Sequence, residues 1–246
     1  MGFETAGVSL LGDREENQDR FGVLSAPGSY LLVVLDGMGG HSEGALAAEA
    51  AFDSLGRSFE AEPAPADPAR FLRDAVARAH EDVVTIGLDL PMATRPRATC
   101  AVCLVSDDRA TWAHVGDARV YHLRDGAVLE RTRDHTPVEQ LLQEGLISEE
   151  EVLGHPMRHY VEFCLGGFAE LPEIAVAGPR DLAPGDVLLA CSDGLWSGIG
   201  DADLAAVTTS ADDLEAWLAR VAGRAVRQTT PYSDNTTAVA LRRIGE

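Results

Sequence analysis

Short runs of β-branched and other apolar residues recur along most of this chain, bounded by Gly, Asp, Ser and Arg. Runs of this length and composition are typical of β-strands. We therefore predict ten strands: Thr5–Leu11, Phe21–Leu24, Tyr30–Leu35, Thr99–Val105, Ala110–Val115, Arg119–Leu123, Val128–Glu130, Ile174–Ala177, Asp186–Ala190 and Thr236–Leu241.

Apolar residues at helical spacing predict a smaller number of helices. One covers Glu43 to Phe59, and a second begins at Asp67-Pro68, where Pro occupies the first helical position. The Pro-rich stretch between them, residues 62–68, is predicted to be a loop. Later helices are predicted at Pro137–Glu144, Ser148–Leu153, Asp201–Thr208 and Ala211–Arg227.

The shortest connections between predicted strands indicate how the strands pair. Residues 106–109 (SDDR) and 124–126 (RDG) are turn sequences that suit β-hairpins. Consecutive hairpins produce antiparallel sheets rather than an alternating βαβ arrangement. The pattern predicts one α+β domain over residues 1–246, with antiparallel sheets covered by helices.

Composition and charge exclude several functions. The chain has 246 residues and a net charge of −20, and all 20 of its basic residues are Arg. Without Lys, a Walker-type phosphate loop or a Schiff base is excluded, and the excess of acids argues against nucleic-acid binding. The longest apolar run, Tyr30 to Leu35, is too short to cross a membrane, and no signal peptide is recognisable at the N-terminus. We expect a cytoplasmic protein that does not insert into membranes.

Two of the four cysteines, Cys100 and Cys103, have the spacing of half a zinc site. They lie in a predicted buried strand, where positions three apart face opposite sides, and no second Cys-x-x-Cys follows. We interpret them as reduced core thiols.

Four acids lie at the boundaries of predicted strands: Asp36, Asp117, Asp193 and Asp234. Each alone is equally compatible with an ordinary strand-to-turn junction, where Asp and Gly are common. If the strand ends converge, however, the like charges require cations, and oxygen ligands without Cys or His suit Mg²⁺ or Mn²⁺. Residues 14–19 (REENQD) add Arg14, a fork for phosphate oxygens, and Asp19; by itself this hexamer is typical of a solvated turn.

Six segments together resemble one family. In chain order they are R-x-x-N-Q-D (14–19), DGMGGH (36–41), VGDAR (115–119), RDHT (133–136), SDG (192–194) and SDNTT (233–237). This series resembles the PPM family of metal-dependent serine/threonine protein phosphatases in its bacterial form. The resemblance extends from about Thr5 to Leu241.

The resemblance implies a fold and a set of site residues. The implied fold is a central antiparallel β-sandwich flanked by helix pairs, a four-layer αββα arrangement, with a mobile flap at about residues 134–167. The implied cofactors are Mn²⁺ or Mg²⁺ in two tight sites, with a third, weaker site. The matching positions are Asp36 as the carboxylate bridging both metals, the Gly37 carbonyl on the second metal, Asp193 and Asp234 on the first, Asp19 through water, Asp117 at the third metal, Arg14 on the phosphate, and Asn235 orienting Asp234.

The implied reaction is in-line attack of a metal-activated bridging water on phosphoserine or phosphothreonine, without a covalent enzyme intermediate. Where many relatives have a His two residues after the bridging Asp, this chain has Met38. The acid that protonates the leaving group therefore stays open between metal-bound water, His41 and His155. In the flap, His159 stands where Asn is common.

The implied partners are phosphorylated Ser/Thr proteins, including a cognate Hanks-type kinase, and we expect a monomer. The alternative hypothesis is a catalytically weak relative that acts as a binding or regulatory module. Loss of metal ligands would favour that alternative, but Asp36, Asp193 and Asp234 are all present. The sequence therefore favours the enzyme.

Overall fold

A computed structural model of the protein describes residues 2–38, 43–152 and 154–245. Its strands are β1 (Gly2–Leu10), β2 (Arg20–Ala26), β3 (Ser29–Met38), β4 (Arg97–Ser106), β5 (Arg109–Val115), β6 (Arg119–Arg124), β7 (Ala127–Arg131), β8 (Leu165–Gly166), β9 (Ala175–Asp181), β10 (Val187–Cys191) and β11 (Thr236–Ile244). Its α-helices are α1 (Glu43–Ala61), α2 (Pro68–Ile86), α3 (Pro137–Gln143), α4 (Glu149–Val152), α5 (Asp193–Trp196), α6 (Asp201–Ala205) and α7 (Leu214–Thr229). Short 3₁₀ turns occupy Met92–Thr94 and Ala206–Thr209.

The strands form two antiparallel sheets, as the hairpin sequences predict. The first has the order β1-β11-β10-β6-β7 and the second β2-β3-β4-β5-β9, with β8 added beside the start of β4. The turns of the β4–β5 and β6–β7 hairpins contain Asp107, Asp108 and Asp125 at positive φ. Asp tolerates this conformation better than most residues, which explains why the Asp-Asp and Asp-Gly sequences form tight turns.

Three apolar layers hold the sheets and helices together. One lies between the two sheets, another joins α1 and α2 to the second sheet, and the third joins α5–α7 to the first sheet. Cys100 and Cys103 are buried free thiols in two different layers, on opposite faces of β4. The result is the predicted four-layer αββα arrangement.

The register of the strands places the strand ends next to the candidate acids at one edge of the sandwich. In the second sheet, Asp36 pairs with Thr99, beside the C-terminal end of β5. In the first sheet, the end of β10 at Cys191 lies opposite Arg119 on one side and Ala238 on the other. The segments carrying the strand-end acids therefore leave both sheets at the same end of the sandwich.

Some boundaries differ from the prediction. The strand predicted to end at Leu35 continues to Met38, so Asp36 lies within β3, because β4 begins early enough to pair with it. The two-residue β8 and the one-turn α5 were not predicted, since neither is long enough to show a period. No helix in the described ranges combines the length and apolar character needed to span a membrane.

Candidate active site

A cavity of about 910 Å³ opens at the end of the sandwich where the strand ends meet. Its walls include all four of the strand-end acids, two from each sheet: Asp36, Asp117, Asp193 and Asp234. The structure therefore brings together residues that are separated by up to 198 positions in sequence, since the acids lie at positions 36 and 234. Arg14 lies on the rim of the same cavity.

Local backbone structure sets the position of each acid. Asp117 follows Gly116, whose φ of +93° is in the region that favours glycine. Asp193 is the first residue of α5, and only Ser192 separates it from the end of β10. Asp234 immediately precedes Asn235 and β11, and its Oδ1 accepts a hydrogen bond from the Asn235 N–H at 2.8 Å.

Asp19 is not among the residues that line the cavity, and its side chain connects the two sheets. It precedes β2 and is 4% exposed. Its Oδ2 accepts a hydrogen bond of 3.0 Å from the hydroxyl of Ser192, which follows β10 in the other sheet. Its Oδ1 is buried without a hydrogen-bond partner within the described part of the chain. A buried carboxylate oxygen without a partner is costly, so this atom indicates a cation or water at the site.

The acids influence one another electrostatically. Burial, and then the charges of its neighbours, raise the pKa of Asp36 well above its usual value; the neighbours are Asp19, Asp193, Asp117 and Asp234. Burial is also the main cause that raises the pKa of Asp19 and of Asp193 to about 7. A divalent cation among these carboxylates would remove the repulsion that opposes their ionisation.

Gly37 occupies a position that admits no side chain. A Cβ there would lie 2.2 Å from the carbonyl oxygen of Gly44 and 2.7 Å from that of Gln18. The start of α1 therefore packs directly against the backbone of β3 beside Asp36. Gly37 lines the cavity next to Asp36, and its backbone carbonyl is an oxygen donor of the kind that suits Mg²⁺ and Mn²⁺.

The side-chain carboxylates alone do not form a complete ligand cage. Within residues 2–38, 43–152 and 154–245, no three His, Cys, Asp or Glu side chains converge in the arrangement that holds an ion. Asp234 instead pairs with Arg14, with 2.5 Å between Oδ2 and Nη2. The donors at hand suit a hard cation that takes few carboxylates together with backbone oxygens and water, which is the usual environment of Mg²⁺.

Asn235 connects the N-terminal loop to β11. Its Oδ1 accepts a hydrogen bond from the Gln18 N–H at 2.9 Å, and its Nδ2 donates to the carbonyls of Leu11 and Glu16 at 2.9 and 3.1 Å. The side chain thus fixes the loop that carries Arg14, whereas the contact with Asp234 comes from the backbone N–H of Asn235.

The two histidines that the sequence offers as the acid, His41 and His155, and the flap residue His159 have different positions. His41 lies outside the described residues. His155 does not line the cavity, and its Nδ1 accepts a hydrogen bond from the Met157 N–H. His159 does line it: its Nδ1 is 4.0 Å from Asp193 Oδ2, and its Nε2 accepts a hydrogen bond of 2.7 Å from Arg158 Nε.

The segment predicted as a flap contains α3, α4 and β8, and its residues 158, 159 and 161 face the cavity. Its first residues are fixed to the strand end that bears Asp117. The His135 N–H donates to the Gly116 carbonyl at 2.9 Å, and the Gly116 N–H donates to His135 Nδ1 at 3.2 Å.

Sequence reasoning missed several residues that support the site. Ser192 donates to Asp19, Trp196 donates to the backbone carbonyl of Asp117, and the side chain of Arg119 pairs with Asp134. The VGDAR and RDHT segments contain Arg119 and Asp134 and so could have suggested them. Their pairing depends on the fold, and no local pattern indicates it.

The sequence is similar to those of two bacterial protein phosphatases. The chain is 33% identical over 175 residues to serine/threonine protein phosphatase PstP of Mycobacterium tuberculosis, a match that covers 71% of this chain and 33% of PstP. It is 31% identical over 214 residues to protein phosphatase PhpP of Streptococcus pneumoniae, covering 82% of this chain and 84% of PhpP. The chain thus spans about a third of the length of PstP but most of PhpP.

A similar structure has also been solved with metal. The catalytic domain of PstP in complex with two manganese ions superposes with a TM-score of 0.82 at 27% identity, covering 99% of both chains. The family pattern of protein phosphatase 2C matches residues 6–229, which is most of the sequence and includes five of the six segments in full. On this match, and on a fold shared along its whole length with a solved relative, the chain belongs to the protein phosphatase 2C family, the PPM phosphatases.

Proposed function

We propose that this protein hydrolyses phosphoserine and phosphothreonine in proteins, with Mn²⁺ or Mg²⁺ as its cofactor. The observation that carries the proposal is the meeting of carboxylates from both sheets in one cavity with Arg14 on its rim. A cluster of acids alone would repel a phosphate, whereas acids that hold cations attract it.

We assign the cavity acids to a pair of divalent cations, whose remaining ligands would be backbone oxygens and water. Asp36 and the Gly37 carbonyl, Asp193 and Asp234 are the groups that would hold them, with Asp19 acting through water. When bound, such cations supply an activated water and neutralise charge on the phosphoryl group. Asp117, which lines the same cavity, would contribute to a third and weaker site.

Arg14 is the cationic side chain that we assign to the substrate phosphate. It is 57% exposed, and its guanidinium already binds a carboxylate oxygen of Asp234. A planar fork on the rim can bind two phosphate oxygens while the acids below hold the cations. His159 lines the same cavity, and we propose that it faces the leaving oxygen of Ser or Thr.

The proposed chemistry indicates which class of enzyme this protein opposes in the cell. An enzyme that removes phosphate from Ser and Thr opposes a Ser/Thr kinase, and we propose a bacterial Hanks-type kinase as its counterpart. We further propose that it works as a monomer in the cytoplasm, on phosphorylated proteins that include the kinase.

The proposal is tested by phosphate release from a phosphothreonine peptide with Mn²⁺, with EDTA, and with the Asp193→Asn variant. Turnover that needs Mn²⁺ and is lost in the variant supports the two-metal phosphatase. Binding of Mn²⁺ by calorimetry without turnover of any phosphopeptide would instead favour the regulatory module.

Replacement of Arg14 by Ala should lower kcat/KM for the phosphopeptide about a hundredfold, the typical loss when one charge-stabilising donor is removed. Steady-state kinetics at saturating Mn²⁺ measure this. Arg57→Ala is a matched control, because Arg57 forms an exposed ion pair with Asp82 between α1 and α2. Equal kinetics for Arg14→Ala and the wild type would remove Arg14 from the site.

A second pair of variants separates the two histidines. We expect His159→Gln to lower kcat about tenfold or more, since a side chain that hydrogen-bonds or protonates the leaving group contributes at least that much. His155→Gln should leave kcat unchanged, because its ring faces the Met157 N–H rather than the cavity. The reverse order of effects would identify His155 as the leaving-group residue.

A further inference from the structure

A buried guanidinium lies behind the acidic cavity. Arg119, at the start of β6 and 7% exposed, donates from Nε and Nη2 to both carboxylate oxygens of Asp134, at 2.8 and 2.7 Å. Its Nη1 donates to the hydroxyl of Tyr121 at 3.0 Å. All three nitrogens of the guanidinium are therefore fixed by hydrogen bonds, which allows a single orientation of its plane.

The face of this guanidinium is also occupied. The Arg119 Cζ lies 3.7 Å from the centre of the Trp196 ring, which is the geometry of a cation–π contact. The indole Nε1–H of Trp196 donates to the backbone carbonyl of Asp117 at 3.0 Å. Because Trp196 is the last residue of α5 and Asp193 is the first, this indole connects the backbone of one cavity acid to the helix that carries another.

The same network reaches the base of the segment over the cavity. Asp134 is followed by His135, whose backbone and ring both bind Gly116. Gly116 and Asp117 are thus held from one side by His135 and from the other by Trp196. One set of contacts therefore joins three elements: the strand end that bears Asp117, the helix that bears Asp193, and the beginning of the predicted flap at residue 134.

We infer that Arg119 and Trp196 are positioning residues that fix Asp117 relative to Asp193, and thereby set how tightly the weaker cation site binds. This inference rests on the proposed function, in which Asp117 contributes to that site. Stability alone explains the arrangement poorly, because a buried ion pair often contributes little more than well-packed apolar residues of the same volume. What the network provides is a defined orientation.

The sharpest variant is Trp196→Phe, which keeps an aromatic ring over the guanidinium and removes the donor to Asp117. We expect calorimetry with Mg²⁺ alone to show that the affinity of the weaker site falls about fivefold or more, which is a typical coupling between linked sites. The affinity of the tight sites should be unchanged. The kcat should follow the affinity of the weaker site. In an Asp117→Asn background, Trp196→Phe should have no further effect on either quantity.

NMR spectroscopy provides a second readout, because the chain has few tryptophans. The chain has three, so the indole N–H signal of Trp196 can be identified as the one missing in Trp196→Phe. In the wild type, we expect this signal to shift over the range of Mg²⁺ concentrations that fills the weaker site. In Asp117→Asn it should not shift over that range. Arg119→Lys, which keeps the charge but loses the fork, should reduce the shift.

Trp217→Phe is the matched control, because Trp217 is a buried residue of α7 in the apolar layer beneath the first sheet. It should leave Mg²⁺ binding as in the wild type. An unchanged affinity of the weaker site in Trp196→Phe, or equal losses in the two backgrounds, would overturn the inference. A Mg²⁺-dependent shift of the Trp196 signal without phosphatase activity would contradict the proposed function but leave the inference standing. Phosphatase activity with an unmoved Trp196 signal would overturn the inference alone.

Discussion

Replacing Asp36 by Asn should abolish phosphate release and at the same time raise the melting temperature of the metal-free protein. Turnover should fall about a thousandfold or more, since losing a ligand of the proposed cation site would cost several kcal/mol of transition-state stabilisation. Stability should rise because Asn has nearly the shape of Asp but no charge, and Asp36 lies among four other carboxylates. Phosphate release with Mn²⁺ and a thermal melt in EDTA at about pH 8 measure the two effects.

Asp186→Asn serves as the control with the opposite expectation. Asp186 precedes β10 at the other end of the sandwich, where it is 1% exposed and accepts hydrogen bonds from His122 and Arg124. Its loss should cost on the order of 3 kcal/mol of unfolding free energy but leave kcat of the folded enzyme intact. An Asp36→Asn protein that melted lower in EDTA, or kept wild-type turnover, would show that Asp36 is not part of a repulsive cation site.

The metal-free protein should lose stability as the pH rises from about 5 to about 8. Burial and neighbouring charges raise the pKa of Asp19 and Asp193 to about 7 in the folded protein. A raised folded pKa stabilises the protein fully below the pKa of the unfolded chain, and that contribution is lost as the pH rises through the folded value. The slope approaches about 1.4 kcal/mol per pH unit for each proton released.

Thermal melts in EDTA and in Mn²⁺ across this pH range test the prediction. The EDTA curve should decline and the Mn²⁺ curve should stay flat or rise, because the bound cation takes the place of the protons. Parallel curves in the two conditions would mean that the cation does not bind at these carboxylates.

Much of the fold is predictable from the sequence because its elements follow local rules. Pro68 starts α2 with Asp67 as its cap, where the Asp67 side chain accepts from the Arg70 N–H. The acidic turn at residues 107–108 closes the β4–β5 hairpin with both residues at positive φ. Turn chemistry and caps act within a few residues, so they can be recognised without knowledge of the tertiary structure.

The acids at 117, 193 and 234 can be recognised in the sequence because each lies within two residues of a strand end, and strand ends collect at the ends of a sandwich. The resemblance to a family then gave them roles. The Arg119–Asp134 pair, the indole of Trp196 and the place of His159 in the cavity wall depend on contacts across the fold. Periodicity and composition carry no information about such contacts, which is why the sequence left them open.

The contact of Gly37 with Gly44 has a consequence for judging which relatives are active. Neither residue carries a functional group, yet an added methyl at either position would overlap the backbone of the other. A relative could retain every acid and still lose its catalytic geometry through an alanine at one of these two positions. Inventories of ligand residues therefore underestimate how much of the active site is encoded by the absence of side chains.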